Sequence, residues 1–257
     1  MTDEARPPTP IEAVDRALVV LDLLAGAGPQ GLVLAEVATR LGVHKTTAHR
    51  TLAALRYRDF VAQDPGTGAY ALGGAAVALG ESYLAQDNLP ALLHPALVAL
   101  ARDVDELVHL GVLSGRQIVY LDKVEPERPV RVWSAIGRRQ PAVTTALGRA
   151  LLAYRVTGPD TLATYAEGAS ADVAALWDVV AGARRDGFAS ETEENEPGIA
   201  CVAVPLLRGE AAIAAVSVTA PVERMGARRA AALRERLRAV LPPLLPPGIR
   251  LPGSSAG

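Results

Sequence analysis

Between residues 11 and 58 the apolar positions recur at spacings of three and four, the period of helices with one buried face. Ile11, Val14, Leu18, Leu21 and Leu24 form a first stripe, which Gly26, Gly28, Pro29 and Gly31 bring to an end. Leu34, Val37, Ala38 and Leu41 form a second, and Ala48, Thr51, Leu52 and Leu55 a third. Gly42 separates the last two, and Val43 places an apolar group inside the turn, so residues 34–58 read as a helix-turn-helix. The first helix is expected to pack across this pair and complete a three-helix core. Residues 60–63 and 69–72 read as strands about Asp64-Pro65-Gly66-Thr67-Gly68, where Pro fixes φ and glycine accepts a positive φ. A hairpin after the second helix of the pair makes a winged helix of residues 11–73.

Residues 74–87 predict a linker helix. Its apolar Val77, Leu79, Tyr83 and Leu84 are more than a solvated connector needs, so it is expected to pack against a partner subunit or a second domain. Residues 88–241 mix helices and strands. Pro90 opens a helix carrying Leu92, Leu93, Leu97 and Leu100. Strands follow over 106–113 and 117–124, about Ser114-Gly115-Arg116. The second alternates Ile118, Tyr120 and Asp122 against Val119, Leu121 and Lys123. A strand over 130–135, a basic loop over 137–141 and helices over 145–154, 160–166 and 171–185 come next. Phe188 begins a short strand, 191–196 is a glutamate-rich exposed loop, 199–207 and 211–219 form a hairpin, and 228–240 is a closing helix. There is no regular strand–helix–strand repetition, so the fold class is α+β rather than doubly wound. Residues 1–10 and the proline-rich tail 242–257 are expected to be loose.

Charge changes the picture. The whole chain of 257 residues has a formal net charge of −2, yet residues 37–58 hold Arg40, Lys45, Arg50, Arg56 and Arg58 and neither Asp nor Glu. A cationic block in a mildly acidic protein points to one element that meets a polyanion. On the second helix of the pair, Lys45, Thr46, Thr47, His49 and Arg50 suit the phosphates and base edges of double-stranded DNA, with Arg40 beside them. At the wing tip, Thr67 and the amides of Gly66 and Gly68 suit the adjacent backbone. The single Cys201 excludes an internal disulfide and a thiolate-rich metal site. His44, His49, His94 and His109 lack zinc-motif spacing, so no metal is expected. Neither an apolar run of membrane length nor a leader at Met1 is present, so cytoplasm is the expected location.

Enzymatic chemistry would have to come from Cys201, His109 or the glutamates at 191, 193, 194 and 196. Cys201 reads as a small core residue, His109 amid Leu107, Val108, Leu110 and Val112 as a satisfied sheet histidine, and the glutamates as a solvated loop. No catalytic residue and no cofactor is expected, and no dinucleotide or P-loop glycine pattern occurs. A small-molecule pocket fits better. Thr144, Thr145 and Ala146 lie where a loop enters a helix, and Ser217 and Thr219 are two apart on one strand face. Together with the helix's first amides they would suit a small carboxylate; the alternative is that these hydroxyls bond nearby backbone. A small-molecule-binding enzyme with an incidental helix-turn-helix is the competing class, and a non-specific architectural DNA binder a third.

One series of segments carries a resemblance. It runs Val14-Asp15-Arg16-Ala17-Leu18, Gly42-Val43-His44-Lys45-Thr46-Thr47-Ala48-His49-Arg50, residues 64–72, Val108-His109-Leu110, Val119-Tyr120-Leu121-Asp122-Lys123-Val124 and Gly137-Arg138-Arg139. It continues with residues 145–153, Cys201-Val202-Ala203-Val204-Pro205 and Ser217-Val218-Thr219-Ala220-Pro221. In this order it resembles the IclR family of bacterial transcriptional regulators over about residues 11–241. The resemblance implies a winged helix-turn-helix, a linker helix and an α/β effector-binding domain of GAF-like topology. It implies a homodimer or tetramer on operator DNA that represses or activates, frequently for the breakdown of small organic or aromatic acids. DNA readers map to Lys45, Thr46, Thr47, His49 and Arg50. The effector pocket maps to Thr145, Ala146, Leu147 and Gly148, to Glu191, to Cys201, and to Ser217 and Thr219. Glu191 stands where aspartate is frequent and Thr219 where serine is. Ala200 stands where arginine is common, which implies the loss of a cation able to orient an anionic ligand.

Overall fold

The computed structural model describes residues 11–85, 88–128, 134–169 and 172–253, with side chains for all of these except 81–85. It divides into two compact units, one ending at Asp87 and the other starting at Asn88.

In the first unit, helices α1 (Glu12–Ala27), α2 (Leu34–Leu41) and α3 (Lys45–Tyr57) enclose a core of Val20, Leu24, Val37, Ala38, Ala48 and Leu52. Gly42 closes α2 in the left-handed region (φ 66°), where a side chain would be strained, and its amide bonds back to Ala38 and Thr39. His44 caps α3 by accepting from the Thr46 amide. Strands β1 (Val61–Gln63) and β2 (Tyr70–Leu72) pair antiparallel as the wing, and helix α4 (Gly74–Ala85) follows.

The orientation of α1 differs from the expected one. Of the expected stripe, Leu24 is buried and Leu21 packs half-buried on the core, whereas Ile11, Val14 and Leu18 are 61%, 53% and 57% exposed; Val20 completes the buried line, with Ala17 and Ala27 half-buried beside it. A spacing of three and four defines a stripe but not which stripe meets the core. Here α1 meets the core only from Val20 onward, and the apolar groups of the first two turns are left outside.

The second unit holds α5 (Leu89–Val104), β3 (Leu107–Ser114), β4 (Gln117–Val124), β5 (Arg139–Pro141), α6 (Ala146–Leu152), α7 (Pro159–Ala166) and α8 (Val173–Asp186). β6 (Ala189–Thr192), β7 (Ile199–Arg208), β8 (Ala211–Pro221) and α9 (Ala227–Val240) complete it. Its six strands form an antiparallel sheet in the order β5-β4-β3-β8-β7-β6. α5 and α9 cover one face, over Leu97, Leu110, Val204, Val218 and Leu237. α6, α7 and α8 cover the other, over Ile118, Leu147, Leu162, Val180, Ala203 and Ala215. Burial on both faces is why β7 and β8 read as almost continuous apolar runs. Gly111, Ala203 and Ala215 are small because α6 lies close on the sheet: a Cβ at Gly111 would stand 2.9 Å from Ile118 Cγ2 and 3.1 Å from Leu147 Cδ1.

Several expectations need correcting. The alternation of β4 breaks at a bulge that pairs Leu110 with Asp122 but Gly111 with Tyr120. Tyr120 faces α6, whereas Asp122 turns to the α5 face, where its Oδ2 lies 2.7 Å from His94 Nδ1. The basic loop 137–141 contains an edge strand, β5. Of the strand expected over 130–135, residues 130–133 lie outside the described residues, and Ser134 and Ala135 belong to no regular element. The glutamate run is not all loop, since Glu191 lies in β6 and is 4% exposed. The tail is not loose up to Gly253. Ile249 and Leu251 are buried, Leu207 and Arg250 exchange backbone hydrogen bonds of 2.8 and 2.9 Å, and Arg250 pairs with Glu210. Prolines end the helices there without preventing the chain from docking.

Candidate functional site

Lys45, Thr46, His49 and Arg50 are exposed on α3, Thr47 is half-buried, and Arg40 is exposed on α2. The Thr46 hydroxyl is 2.9 Å from His44 Nδ1, so the cap also fixes one of the expected readers. Along the flank of α3 beside α1 runs a groove of ≈ 530 Å³, lined by Arg16, Thr47, Arg50, Thr51, Arg58 and Phe60. Arg16 pairs with Glu12 at 2.7 Å through Nη1, but its Nε is buried with no hydrogen-bond partner. Sequence reasoning missed Arg16 because it lies on another helix. Only the crossing of α1 and α3 brings it beside Arg50.

Arg56 Nη1 donates to Gln63 Oε1 at 2.6 Å and Gln63 Nε2 to the Gly68 carbonyl at 3.2 Å, which fastens α3 to the wing. At the tip, Asp64 Oδ1 accepts from the amides of Gly66 (3.0 Å) and Thr67 (2.6 Å) and from the Thr67 hydroxyl (2.8 Å). The Gly68 amide donates to the Asp64 carbonyl at 2.9 Å. The Thr67 bonds first, against a small opposing effect of burial, hold the Asp64 carboxyl below its usual range. The donors expected at Gly66, Thr67 and Gly68 are therefore engaged inside the turn. A short carboxylate competes locally for these groups, and Thr67 serves the shape of the tip.

In the second unit, strand register assembles a polar cluster on the α6 face of the sheet. One cross-strand row holds Glu191, Cys201 and Thr219; the next holds Ala203, Ser217, His109 and Lys123. Cys201 Sγ lies 3.3 Å from Thr219 Oγ1, which lies 3.4 Å from His109 Nδ1. His109 Nε2 bonds Ser134 Oγ at 2.8 Å, and Lys123 Nζ donates to the Ser134 carbonyl at 2.6 Å. The imidazole stacks on Tyr120 with centroids 4.6 Å apart. The Glu194 amide donates to Glu191 Oε2 at 3.2 Å. So Glu191, Cys201, Ser217 and Thr219 share one face, and His109, Tyr120 and Ser134 join them.

Burial sets the charge of the cluster. It pushes His109 down to about 3, helped by the charges of Lys123 and Arg138, and Tyr120 up to about 12, helped by Cys201. Burial raises Glu191 against the bonds it accepts, and burial together with the Glu191 charge pushes the Cys201 thiol well up. At neutral pH the cluster offers a neutral imidazole, thiol and phenol beside hydroxyls. A thiol held protonated is a hydrogen-bonding group rather than a nucleophile.

The low value for His109 has a measurable consequence. The folded chain resists protonation there down to about pH 3, whereas in the unfolded chain the ring titrates near its ordinary 6.5. Its contribution is fully present above pH 6.5 and is lost as pH falls towards 3, by up to about 1.4 kcal/mol per pH unit. Glu191, raised, acts with the opposite sign, adding stability at low pH that is lost as pH rises through its folded value. In urea unfolding between pH 6.5 and 4, His109→Gln should show a shallower loss of stability with acid than wild type. Equal slopes would mean that the folded imidazole takes up the proton.

The start of α6 is walled rather than open. Thr145 Oγ1 accepts from the Gly148 amide at 3.1 Å, and its distances to the Pro141 and Ala142 carbonyls are 3.3 and 3.4 Å. Ala146 and Leu147 are part of the apolar core under the sheet. The hydroxyl thus follows the alternative of bonding nearby backbone. Arg149, buried, donates through Nε to the Val143 carbonyl (2.9 Å) and through Nη1 to the Ser190 carbonyl (3.1 Å), and forks onto Glu194. This clamps α6 to β6, a role hidden from the sequence because Glu194 reads as solvated. Ala200 lies in the core on the α5 and α9 face. An arginine there would point away from the cluster, so the inferred loss of a ligand-orienting cation does not hold for this fold.

Two family models match the chain: the IclR helix-turn-helix domain over residues 13–65, and the bacterial transcriptional regulator IclR C-terminal model over residues 81–241. The HTH-type transcriptional regulator XynR of Escherichia coli (strain K12) is 33% identical over 238 residues, covering 89% of this chain and 93% of the relative. The glycerol operon regulatory protein of Streptomyces coelicolor is 36% identical over 227 residues, covering 84% and 87%. Among solved structures, an IclR transcriptional regulator from Alicyclobacillus acidocaldarius aligns with a TM-score of 0.69 at 25% identity over 92% of this chain and 98% of that one. An IclR homolog from Microbacterium hydrocarbonoxydans, solved with 4-hydroxybenzoate, shares the fold with a TM-score of 0.70 at 21% identity over 91% and 99%.

Proposed function

The chain belongs to the IclR family of bacterial transcriptional regulators, and on that premise we propose that its first unit reads an operator through α3 while a small organic ligand in the polar cluster of the second unit changes that binding. The observation that carries the reading is the exposed cationic flank of α3, with Arg16, Arg50 and Arg58 on one groove, in a chain whose net charge is −2. Lys45, Thr46, Thr47, His49 and Arg50 contact base edges and phosphates, Arg40 and Arg58 the flanking backbone. Residues 11–73 are the DNA-binding domain, 74–87 the linker, and 88–241 with the docked tail the effector-binding domain. The protein works in the cytoplasm; no helix among the described residues is long and apolar enough to cross a membrane.

The operator is bound by a dimer, which presents two recognition helices to successive major grooves. The exposed Ile11, Val14 and Leu18 of α1 and Val77 and Leu79 of α4 support a second copy as their cover. Leu18→Glu places a charge in that stripe without touching the core. It should give a monomer in sedimentation at micromolar concentration, with operator affinity reduced along with it. An unchanged dimer would remove α1 from the interface.

For the ligand, the neutral hydrogen-bonding row of Cys201, Ser217, Thr219 and His109, with the stacked Tyr120, suits a small hydroxylated or aromatic organic acid. The 4-hydroxybenzoate held by the Microbacterium hydrocarbonoxydans homolog supports this class. The ligand moves the regulator between states only as far as it binds one better than the other. Whether the outcome is repression or activation follows from where the operator lies relative to the polymerase site. Ser217→Ala removes one hydroxyl from the row and should raise the ligand concentration needed for half-maximal operator response roughly 10-fold, the worth of about one hydrogen bond. An unchanged dose-response would place the ligand elsewhere.

A further inference from the structure

At the far end of α6 from the polar cluster, a second groove of ≈ 600 Å³ is lined by Tyr154, Arg155, Trp177, Val180, Arg184 and Arg185, with Glu210 at its rim. Arg184 lies over the Tyr154 ring at 4.3 Å and donates to the Ala153 carbonyl at 3.2 Å. No carboxylate pairs with Arg155, Arg184 or Arg185 among the described residues, and Glu210 is taken by Arg250 at 3.0 Å. Three guanidinium groups around an apolar floor of Ala153, Val156 and Val180, beside an indole that is half-buried, make a cationic pocket of the size small ligands occupy.

We propose that this groove is a second small-molecule site, separate from the polar cluster, that takes an aromatic organic anion: the ring lies against Trp177 and the apolar floor, and the carboxylate is held by Arg155 and Arg185. Guanidinium forks match a carboxylate in shape and charge, and an anion relieves the mutual repulsion of the three cations. Both walls of the groove adjoin elements that carry or pack on the polar cluster. α6 (Ala146–Leu152) packs beside Ala203 of β7 and Ala215 of β8 and continues into the Ala153–Val156 wall, and α8 ends at Asp186 just before β6, which carries Glu191. An occupant would therefore bear on the elements that shape the first site. That consequence rests on the cluster being the effector pocket; occupation of the groove does not.

Trp177 supplies the readout. In a Trp133→Phe background it is the only tryptophan of the full chain. Its emission should change saturably on titration with benzoate, with benzamide, the uncharged analogue, binding at least about 10-fold more weakly, as expected for loss of charge-assisted hydrogen bonds. Arg155→Gln with Arg185→Gln should weaken benzoate by about 10-fold or more, while Arg155→Lys with Arg185→Lys, which keeps the charge, should weaken it less. Ser217→Ala should leave it unchanged. The absence of a saturable signal, equal affinity for benzamide, equal loss in the glutamine and lysine pairs, or loss in Ser217→Ala in place of the arginine variants would each overturn the proposal. The last would place the anion in the polar cluster.

Discussion

Arg50→Ala should lower operator affinity by roughly 10- to 100-fold at fixed salt, the worth of about 1–3 kcal/mol for a bidentate base contact, with thermal unfolding and ligand binding unchanged. The position of Arg50 on its helix makes this a sharp test. The part of α3 that holds the first unit together is Ala48 and Leu52, which are fully buried, and Arg50 is exposed on the flank beside α1. Removing its guanidinium thus removes the proposed DNA contact and almost nothing else. Fluorescence anisotropy of a labelled operator duplex measures the loss directly. Arg58→Ala provides the contrast: with Arg58 proposed to meet a phosphate rather than a base, all duplexes should bind more weakly to the same degree, and the salt slope should fall by about 1. Unchanged affinity in Arg50→Ala would mean that α3 does not read the operator.

Gly148→Ala should be the most damaging single methyl in the second unit. A Cβ at Gly148 would overlap the carbonyl oxygen, Cα and carbonyl carbon of Ala142, all of them backbone atoms. Relief requires the first turn of α6 to move off the turn before it, which breaks the Thr145 cap and the Arg149 bond to the Val143 carbonyl. Overpacking against fixed atoms falls at the upper end of such changes, about 3 kcal/mol or more. Gly111→Ala makes the comparison informative. Its Cβ would come under 3.4 Å only of two side-chain atoms, Ile118 Cγ2 and Leu147 Cδ1, which shift at less cost than backbone, so a smaller loss of about 1–2 kcal/mol is expected. Urea unfolding of both variants tests the difference, and a Gly148→Ala protein within about 1 kcal/mol of wild type would contradict the packing of α6.

What the sequence reveals and what it conceals follow from the range of the interactions. The helix-turn-helix is readable because a period of three and four, a left-handed Gly42 and an apolar Val43 all lie within a short stretch and agree. The hairpins of β3 with β4 and of β7 with β8 are readable from their turns at Gly115 and Gly209. The pairing of β3 with β8 is not, since its partners are separated by most of the second unit, and with it goes the meaning of His109. Flanked by Leu107, Val108, Leu110 and Val112, this residue looks like a core histidine; only opposite Ser217 does it become part of a polar row. Glu191 is hidden in the same way. Its neighbours in sequence are acidic, but the pleat of β6 turns it inward opposite Cys201, while Glu194 finds the buried Arg149. The α1 stripe shows the converse case: a correct period whose second half, Leu21 and Leu24, meets the core, while Ile11, Val14 and Leu18 at its start lie outside.

Selection from a random duplex library by the purified full-length protein at physiological salt decides whether this chain recognises a defined DNA sequence. Enrichment of one motif with approximate two-fold symmetry is expected, lost when Arg50→Ala is used in place of wild type. No enrichment over the starting library, with or without candidate organic acids present, or a motif that Arg50→Ala enriches equally well, would contradict it.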